Sequence, residues 1–121
     1  MGLTPEGKRR FPRIPCDARV LVRTIGKVGD ETFSKTKMIG LGGCLFSHPQ
    51  RLEAGTNLWV SIALKGNIIE AAARVVYANP RGDGEFDTGI EFVRLSKADE
   101  AVLAEVLKDQ VGETAGVPSG G

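Results

Sequence analysis

The stretch NLWVSIALKGNIIEAAARVVYA, residues 57–78, contains two alternating apolar runs separated by a short polar break. Apolar residues occupy every second position of both runs, namely Leu58, Val60, Ile62 and Leu64, then Ile69, Ala71, Ala73, Val75 and Tyr77. A period of two is typical of strands that bury one face. Gly66 and Asn67 lie between the runs, and two such runs joined by two residues predict a β-hairpin with its turn at Gly66 and Asn67.

Further strands are predicted on both sides of this hairpin. Alternation recurs in DARVLVRTIG (17–26), in TFSKTKMIG (32–40), in the short apolar run GGCLFS (42–47) and in FDTGIEFV (86–93). In the second of these, Ser34, Thr36 and Met38 share a face opposite Phe33 and the lysines. The pattern therefore predicts about six short strands in a chain of 121 residues.

One helix is predicted at the C-terminal end, in LSKADEAVLAEVLKDQVG (95–112). Ser96 is a good N-cap residue, and Asp99 and Glu100 stand in the first turn, where the helix dipole favours negative charge. An apolar stripe at helical spacing, which needs a surface to cover, is formed by Val102, Leu103, Val106 and Leu107. Gly112 is a predicted stop signal.

These elements predict a mainly β fold, a six-stranded antiparallel barrel with a C-terminal helix. Closure removes the unpaired edges that six short strands would otherwise expose. Glycines 40, 42, 43 and 89 are expected at sharp bends of the barrel. We expect a basic N-terminal arm over 1–15, the barrel with its helix over 16–110, and a disordered tail over 111–121.

Composition and charge exclude several classes of protein. No apolar run approaches the roughly 20 residues of a membrane-spanning helix, and the N-terminus has no signal-peptide core. We therefore predict a cytoplasmic protein whose two cysteines, Cys16 and Cys44, are reduced. The net charge of +1 argues against a general nucleic-acid binder.

The residue types that serve in catalysis do not form a convincing set. FDTG (86–89) matches the three-residue signature of aspartic proteases, but Asp87 is better interpreted as an outward-facing strand residue. The single histidine, His48, precedes a proline and is expected in a solvated loop. The segment IGLGG (39–43) lacks the Lys and Ser/Thr of a phosphate-binding loop. The sequence therefore favours a protein that is not an enzyme and has no metal site.

The segment KRRFPRIPCD (8–17) concentrates positive charge in the arm. Arg9 and Arg13 are four residues apart, so in an extended chain they point to the same side about 13 Å apart. Guanidinium groups can stack on a base and donate paired hydrogen bonds to phosphate or to guanine. The alternative interpretation is a solvated basic tail, or arginines paired with acids of the barrel.

The order of these elements resembles the PilZ domain family over roughly residues 7–108. PilZ domains are small barrels that serve in bacteria as receptors for cyclic di-GMP. The family motif Arg-x-x-x-Arg is matched by RRFPR as Arg9 and Arg13, with Arg10 adjacent. The resemblance implies that these arginines hold the guanine bases and phosphates of the dinucleotide.

The second family motif, Asp/Asn-x-Ser-x-x-Gly, aligns with MIGLGG (38–43) and matches only in part. Gly43 matches the final glycine, whereas Met38 and Gly40 replace the two polar residues. Each lost hydrogen bond costs about 0.5–1.5 kcal/mol, so the two replacements imply roughly ten- to a hundred-fold weaker binding, or none. Tyr77 is a further candidate, either stacked on a base or packed in the core.

Three functions that differ in their partners are compatible with these features. The first is a cyclic di-GMP receptor or adaptor that relays binding to an effector protein in motility or biofilm control. The second, favoured by Met38 and Gly40, is an adaptor that has lost the ligand and acts through protein contacts alone. The third is a nucleic-acid-binding barrel, which the balanced charge and the aromatic content of 6% disfavour.

Overall fold

Strands dominate the computed structural model, which describes residues 13–119, with side chains described as far as Lys108. Within these residues the elements are β1 (Arg13–Pro15), β2 (Arg19–Thr24), β3 (Glu31–Gly40), β4 (Gly43–His48), β5 (Asn57–Leu64), β6 (Asn67–Pro80), β7 (Phe86–Leu95) and α1 (Lys97–Ser119). Arg9 and Arg10 lie outside the described residues, so their predicted role stays a prediction.

The six longer strands close into a barrel. The strand order is β1-β3-β2-β5-β6-β7-β4, and β3 also pairs with β4, so that the sheet β2 to β7 returns on itself. Every pairing is antiparallel. The predicted six-stranded antiparallel barrel is therefore confirmed. The short β1 is an addition, and it pairs with β3 beside β2.

The barrel interior is filled by the residues that alternate along its strands. On β5 all four predicted core residues are buried, and Leu58, Val60 and Ile62 have no exposed surface. Their neighbours across the barrel include Phe46 on β4 and Ile90 on β7, both essentially buried. Burying one such side chain stabilises the fold by about 1.5–3 kcal/mol, so this interior supplies the main driving force for folding.

The central hairpin turns one residue earlier than predicted. Leu64 pairs with Asn67, so the two turn residues are Lys65 and Gly66, with φ of 48° and 83°. Positive φ at both positions is the requirement of a type I′ turn, which matches the twist of the strands. Asn67 was predicted as a turn residue, but its pairing with Leu64 makes it the first residue of β6.

The C-terminal helix begins as predicted and packs against β6 and β1. The Asp99 N–H donates to Ser96 Oγ at 3.0 Å, which confirms Ser96 as the N-cap. The Asp99 carboxylate in turn accepts the Glu70 N–H at 3.0 Å and ties the helix start to β6. Leu103 and Val106 of the predicted apolar stripe are buried.

The helix ends later than predicted, because it continues through Ser119 rather than stopping at Gly112. A glycine inside a helix weakens it by about 1 kcal/mol relative to alanine but does not interrupt its hydrogen bonds. The division of the chain into arm, barrel and tail stays a prediction.

A buried threonine hydroxyl bridges the break between β1 and β2. The Ala18 N–H donates to Thr36 Oγ1 at 2.9 Å, and the same hydroxyl donates to the Cys16 carbonyl at 2.6 Å. Backbone bonds from Cys16 to Lys37 (3.0 Å) and from Thr36 to Ala18 (2.8 Å) flank this bridge. Both β1 and β2 are thereby held along the same edge of β3.

We expect Thr36→Val to destabilise the fold while conserving its shape. Valine keeps the side-chain volume but leaves the Ala18 N–H and the Cys16 carbonyl without their partner, which lowers the free energy of unfolding by about 1–3 kcal/mol. Urea unfolding monitored by circular dichroism measures this change. Thr32→Val on the same strand is the control, because Thr32 makes no side-chain hydrogen bond to a described residue. Equal losses in the two variants would contradict the bridging role.

Candidate functional site

The register of the strands brings the ends of the two sequence motifs together. Arg13 pairs with Gly40 across β1 and β3, and Gly40 pairs with Gly43 across β3 and β4. With neighbouring strands about 4.8 Å apart, the Cα atoms of Arg13 and Gly43 lie roughly 10 Å apart. The row continues to Glu91 on β7 and Arg74 on β6. Arg13 is exposed, so its side chain starts at the edge of this row and faces solvent.

A second row runs beside the first on the outer surface of the barrel. Met38 pairs with Leu45, Leu45 with Gly89, and Gly89 with Tyr77. Residues directly opposite one another on paired strands share a face. We call the two rows together the front face, and its members used below are Arg13, Gly40, Gly43, Met38, Leu45, Gly89 and Tyr77.

A β-bulge places Met38 on the front face. The register shifts between Thr36 and Met38, which leaves Lys37 as the extra residue of β3. Thr36 therefore pairs with the buried Phe46, whereas Met38 pairs with the half-buried Leu45. The expectation that Thr36 and Met38 share a face was wrong, because a bulge shifts the alternation by one residue.

A second bulge does the same for Tyr77. The register shifts between Val75 and Tyr77, so Val76 is the extra residue and is 51% exposed. Val75 pairs with the buried Ile90 and faces the core, whereas Tyr77 pairs with Gly89 and faces outward. Tyr77 was predicted on the core-facing side of its strand, and the bulge corrects that prediction.

Gly43 and Gly89 are required because neither position has space for a side chain, and not because the backbone bends there. A Cβ at Gly43 would overlap the Ile90 carbonyl oxygen, so β4 and β7 approach too closely there for any side chain. A Cβ at Gly89 would overlap the Tyr77 ring and stand 2.9 Å from its hydroxyl oxygen. Neither glycine has a positive φ. The Tyr77 ring thus occupies the space above Gly89 on the front face.

A group of ion pairs lies beside the front face. Asp87 accepts from Lys37 Nζ at 2.9 Å and lies 3.8 Å from Arg81 Nε. Arg81 also contacts Asp83 at 3.1 Å and donates to Ser47 Oγ at 2.6 Å. Asp87 is therefore an outward-facing strand residue, as predicted, and its carboxylate neutralises cations.

Two further ionic features distinguish Arg13 from its neighbours. Arg74 and Glu91, in the row of Arg13, form a two-point ion pair at 2.7 and 2.8 Å. Arg13 forms no ion pair with any residue that the structure describes. Its positive charge therefore remains available to an anion approaching the front face.

An open pocket of about 610 Å³ adjoins the front face. It lies over the break between β1 and β2, beside the bulge of β3. Its lining includes Pro15, Asp17, Lys35, Lys37 and Ser47. The front face is therefore continuous with a concave, cation-containing surface rather than with flat sheet.

His48 is a structural residue, which corrects the predicted solvated loop position. It is the last residue of β4 and is buried, with its ring edge-on to Phe46 at a centroid distance of 6.2 Å. The Gln50 N–H donates to its Nδ1 at 3.1 Å. Pairing of His48 with Phe86 draws it into the sheet.

The two cysteines are free, as predicted, and neither is poised as a nucleophile. Burial raises the pKa of the Cys44 thiol to about 12, although the positive charge of Arg13 acts to lower it. Burial also raises the pKa of Cys16, against a hydrogen bond with Thr36. Protonated thiols are poor nucleophiles and metal ligands. Within the described residues no group of three His, Cys, Asp or Glu side chains is placed to hold a metal ion.

Comparison with protein families identifies the domain. The family model of the PilZ domain matches residues 7–109, which is most of the chain. The chain belongs to the PilZ domain family. A search of curated proteins found no match.

Solved structures of PilZ proteins share the fold. YcgR of Escherichia coli in complex with c-di-GMP has a TM-score of 0.74 at 14% identity, covering 93% of this chain and 50% of that one. The inhibitor of motility MotI/DgrA of Bacillus subtilis has a TM-score of 0.72 at 19% identity, covering 86% and 52%. The MrkH–c-di-GMP complex of K. pneumonia has 0.70 at 18%, covering 88% and 53%. This chain thus spans about half the length of these three proteins.

No described helical segment of this PilZ protein is both long and apolar enough to cross a membrane.

We expect Gly89→Ala to be destabilising only while the Tyr77 ring is present. The new methyl group overlaps the ring, and such overpacking typically costs about 1–3 kcal/mol. In a Tyr77→Ala background the ring is absent, so the same glycine change becomes nearly neutral. A double-mutant cycle of urea unfolding free energies measures this coupling. Additive effects of the two changes would show that the ring does not lie on Gly89.

Proposed function

We propose that this PilZ protein is a cyclic di-GMP receptor and adaptor whose ligand lies on the front face. The observation that best supports this proposal is the direct pairing of Arg13 with Gly40, in one row with Gly43. The first motif of the family therefore ends beside the second. Arg9 and Arg10, which belong to the same basic segment, are expected to add their positive charge to this site.

The chemistry of the front face suits a dinucleotide that carries two phosphates and two purines. Arg13 offers paired N–H donors and a flat guanidinium for phosphate or a guanine edge. Met38, Leu45 and Tyr77 offer an apolar surface on which a base can lie. The Tyr77 ring is already held over Gly89, so little conformational entropy is lost when a base stacks on it.

Two positions of the front face lower the expected affinity. Met38 and Gly40 supply no side-chain hydrogen bond to a base, which is the basis for the weaker binding expected from the sequence. Stacking on Tyr77 and the charge of Arg13 offset part of this loss. The second candidate function, an adaptor that binds no cyclic di-GMP, rests on these same two residues.

Similar proteins support a role in signalling. YcgR and MrkH were solved in complex with c-di-GMP, MrkH is described as a c-di-GMP-dependent transcription regulatory factor, and MotI as an inhibitor of motility. PilZ domains are typically receptors or adaptors rather than enzymes. We therefore propose that this protein acts in the cytoplasm and passes the signal to an effector protein in motility or biofilm control.

Arg13→Ala is expected to abolish the heat of binding in a calorimetric titration with cyclic di-GMP. The substitution removes a solvent-facing cation that has no described ion-pair partner, so it leaves the fold intact. Arg19→Ala is the matched control, because Arg19 is also an exposed arginine but lies on β2, paired with Lys35 and Ala63 away from the front face. Its isotherm should equal that of the wild type.

The same titration separates the two candidate functions. Saturable heat from the wild-type protein supports the receptor. Absence of heat from the wild type at ligand concentrations in the high micromolar range would refute the receptor and leave the ligand-free adaptor. Equal binding by wild type and Arg13→Ala would refute the proposed site.

Restoring the polar residues of the second motif should strengthen binding. The double variant Met38→Asp with Gly40→Ser is expected to bind cyclic di-GMP roughly ten- to a hundred-fold more tightly, since it adds two hydrogen-bonding side chains. Met38→Leu with Gly40→Ala is the control, because it changes volume at both positions without adding polar atoms. A folded double variant that binds no better than its control would contradict the alignment of this motif.

A further inference from the structure

A third row of outward-facing residues follows the two rows of the front face. Ser47 pairs with Asp87, and Asp87 pairs with Asn79, across β4, β7 and β6. Each stands two positions along its strand from a member of the second row, with no bulge between them. Alternation therefore places these residues on the same face, about 7 Å from the second row. We call Ser47, Asp87 and Asn79 the polar row.

The Asp87 carboxylate has one oxygen that is held and one that is not. Lys37 Nζ at 2.9 Å and Arg81 Nε at 3.8 Å both approach Oδ1. Oδ2 makes no hydrogen bond or ion pair with any residue that the structure describes. The side chain is 34% exposed, and a carboxylate oxygen can accept from two donors. Oδ2 thus offers an acceptor that the described part of the protein does not use.

Two different elements hold this carboxylate in place. Lys37 is the extra residue of the β3 bulge and reaches Asp87 across β4. Arg81 follows β6 and is itself fixed, because it donates to Ser47 Oγ at 2.6 Å. Contacts from both sides limit the rotation of the carboxylate. An acceptor that is already positioned loses little conformational entropy when a ligand binds.

The charges around the polar row favour a hydrogen-bond donor over an anion. Lys37 and Arg81 are accompanied by three carboxylates, those of Asp83, Glu85 and Asp87. This part of the surface therefore has no excess of positive charge to attract a phosphate. The N–H groups of a base carry partial positive charge and suit a carboxylate oxygen.

The position of Tyr77 determines which groups a stacked base would approach. In the proposed complex a base lies on the Tyr77 ring, which occupies the space above Gly89. The base then extends toward one of the two neighbouring rows. On one side is the first row, with the Arg74–Glu91 pair and the cation of Arg13, which suits the phosphates. The polar row on the other side suits the hydrogen-bonding edge of the base.

We propose that Asp87 selects guanine by accepting its N–H groups at Oδ2. Guanine has two adjacent donors on one edge, the N1–H and the exocyclic N2 amino group. Hypoxanthine keeps the N1–H and lacks the amino group, and adenine has only its N6 amino group. The inference rests on the proposed receptor function, and it names the residue that distinguishes the base.

Asp87 contributes to the choice of base more than to total affinity. Contacts to phosphates carry no information about the base, whereas contacts to the edge of a base distinguish one base from another. Met38 and Gly40 supply no side-chain hydrogen bond to a base. The acceptor on β7 therefore provides selectivity that the second motif does not.

Calorimetric titration of the full chain with two dinucleotides tests this role. Cyclic di-GMP and cyclic di-IMP differ only in the N2 amino group of the base. The wild type is expected to bind cyclic di-GMP roughly three- to tenfold more tightly than cyclic di-IMP.

The variant Asp87→Asn is expected to remove this preference. Lys37 and Arg81 hold the amide oxygen in place of Oδ1, so the amide NH₂ group takes the place of Oδ2 and faces the N–H groups of the base. Binding of cyclic di-GMP should weaken roughly three- to tenfold, and the ratio of the two dissociation constants should fall to about one.

Two further variants separate selection of the base from a general loss of charge. Asp83→Asn is the matched control, because it makes the same change in a carboxylate that contacts Arg81 at 3.1 Å but lies outside the polar row. It should keep the wild-type ratio. Lys37→Met removes the closest contact of Oδ1 and leaves the acceptor, so the ratio should fall part of the way.

The outcomes distinguish this inference from the receptor proposal. Equal binding of both dinucleotides by the wild type overturns the role of Asp87 and leaves the receptor. An unchanged ratio in Asp87→Asn, or an equal fall in Asp83→Asn, does the same. A fall of the ratio in Glu91→Gln as large as in Asp87→Asn would assign the contact to the first row. Absence of binding of either dinucleotide to the wild type refutes the receptor, and this inference with it.

Discussion

The register of β1 on β3 is the constraint on which the candidate site depends. The two strands share only three residue pairs, so β1 has little pairing energy of its own. The Thr36 hydroxyl accepts a hydrogen bond from the Ala18 N–H and donates one to the Cys16 carbonyl. It therefore links β1 to β2 across the break between them. Because Arg13 stands opposite Gly40 only in this register, a buried hydroxyl in the barrel wall determines where the cation of the arm begins.

Two bulges shape the front face in the same way. Each inserts one residue, Lys37 on β3 and Val76 on β6, and each shifts the following side chain from the core to the surface. The result is a row in which Met38 and Tyr77 face outward on either side of Leu45 and Gly89. Strands without bulges would have buried both side chains, and the outer surface beside Arg13 would carry none of this apolar area.

The barrel has cations that are paired with carboxylates and at least one, Arg13, that has no described ion-pair partner. Lys37 and Arg81 share Asp87, and Arg74 is paired with Glu91, whereas Arg13 has no such partner in the described chain. In the proposed complex, an anionic ligand on the front face gains most from Arg13. With Met38 and Gly40 contributing no hydrogen bonds, affinity would depend on charge and stacking more than on recognition of base edges.

The sequence by itself determined the architecture. The alternation in β5 and β6, the N-cap at Ser96 and the need to remove unpaired edges led to a six-stranded barrel with a terminal helix. These features depend on residues close in the chain and on the alternation of apolar residues, and both can be inferred from a single sequence. Spacing and family resemblance likewise pointed to Arg13, Gly40 and Gly43, which the strand register brings into one row, and their binding role stays a prediction.

The tertiary structure alone decided which way several of these residues face. A bulge depends on how two strands pair with each other. The local sequence pattern therefore did not predict that Met38 and Tyr77 would face outward. The burial of His48, the turn at Lys65 and the need for glycine at position 89 likewise depend on partners distant in the chain. Local sequence sets the alternation of side chains along a strand, but the strands that pair with it decide where a bulge interrupts that alternation.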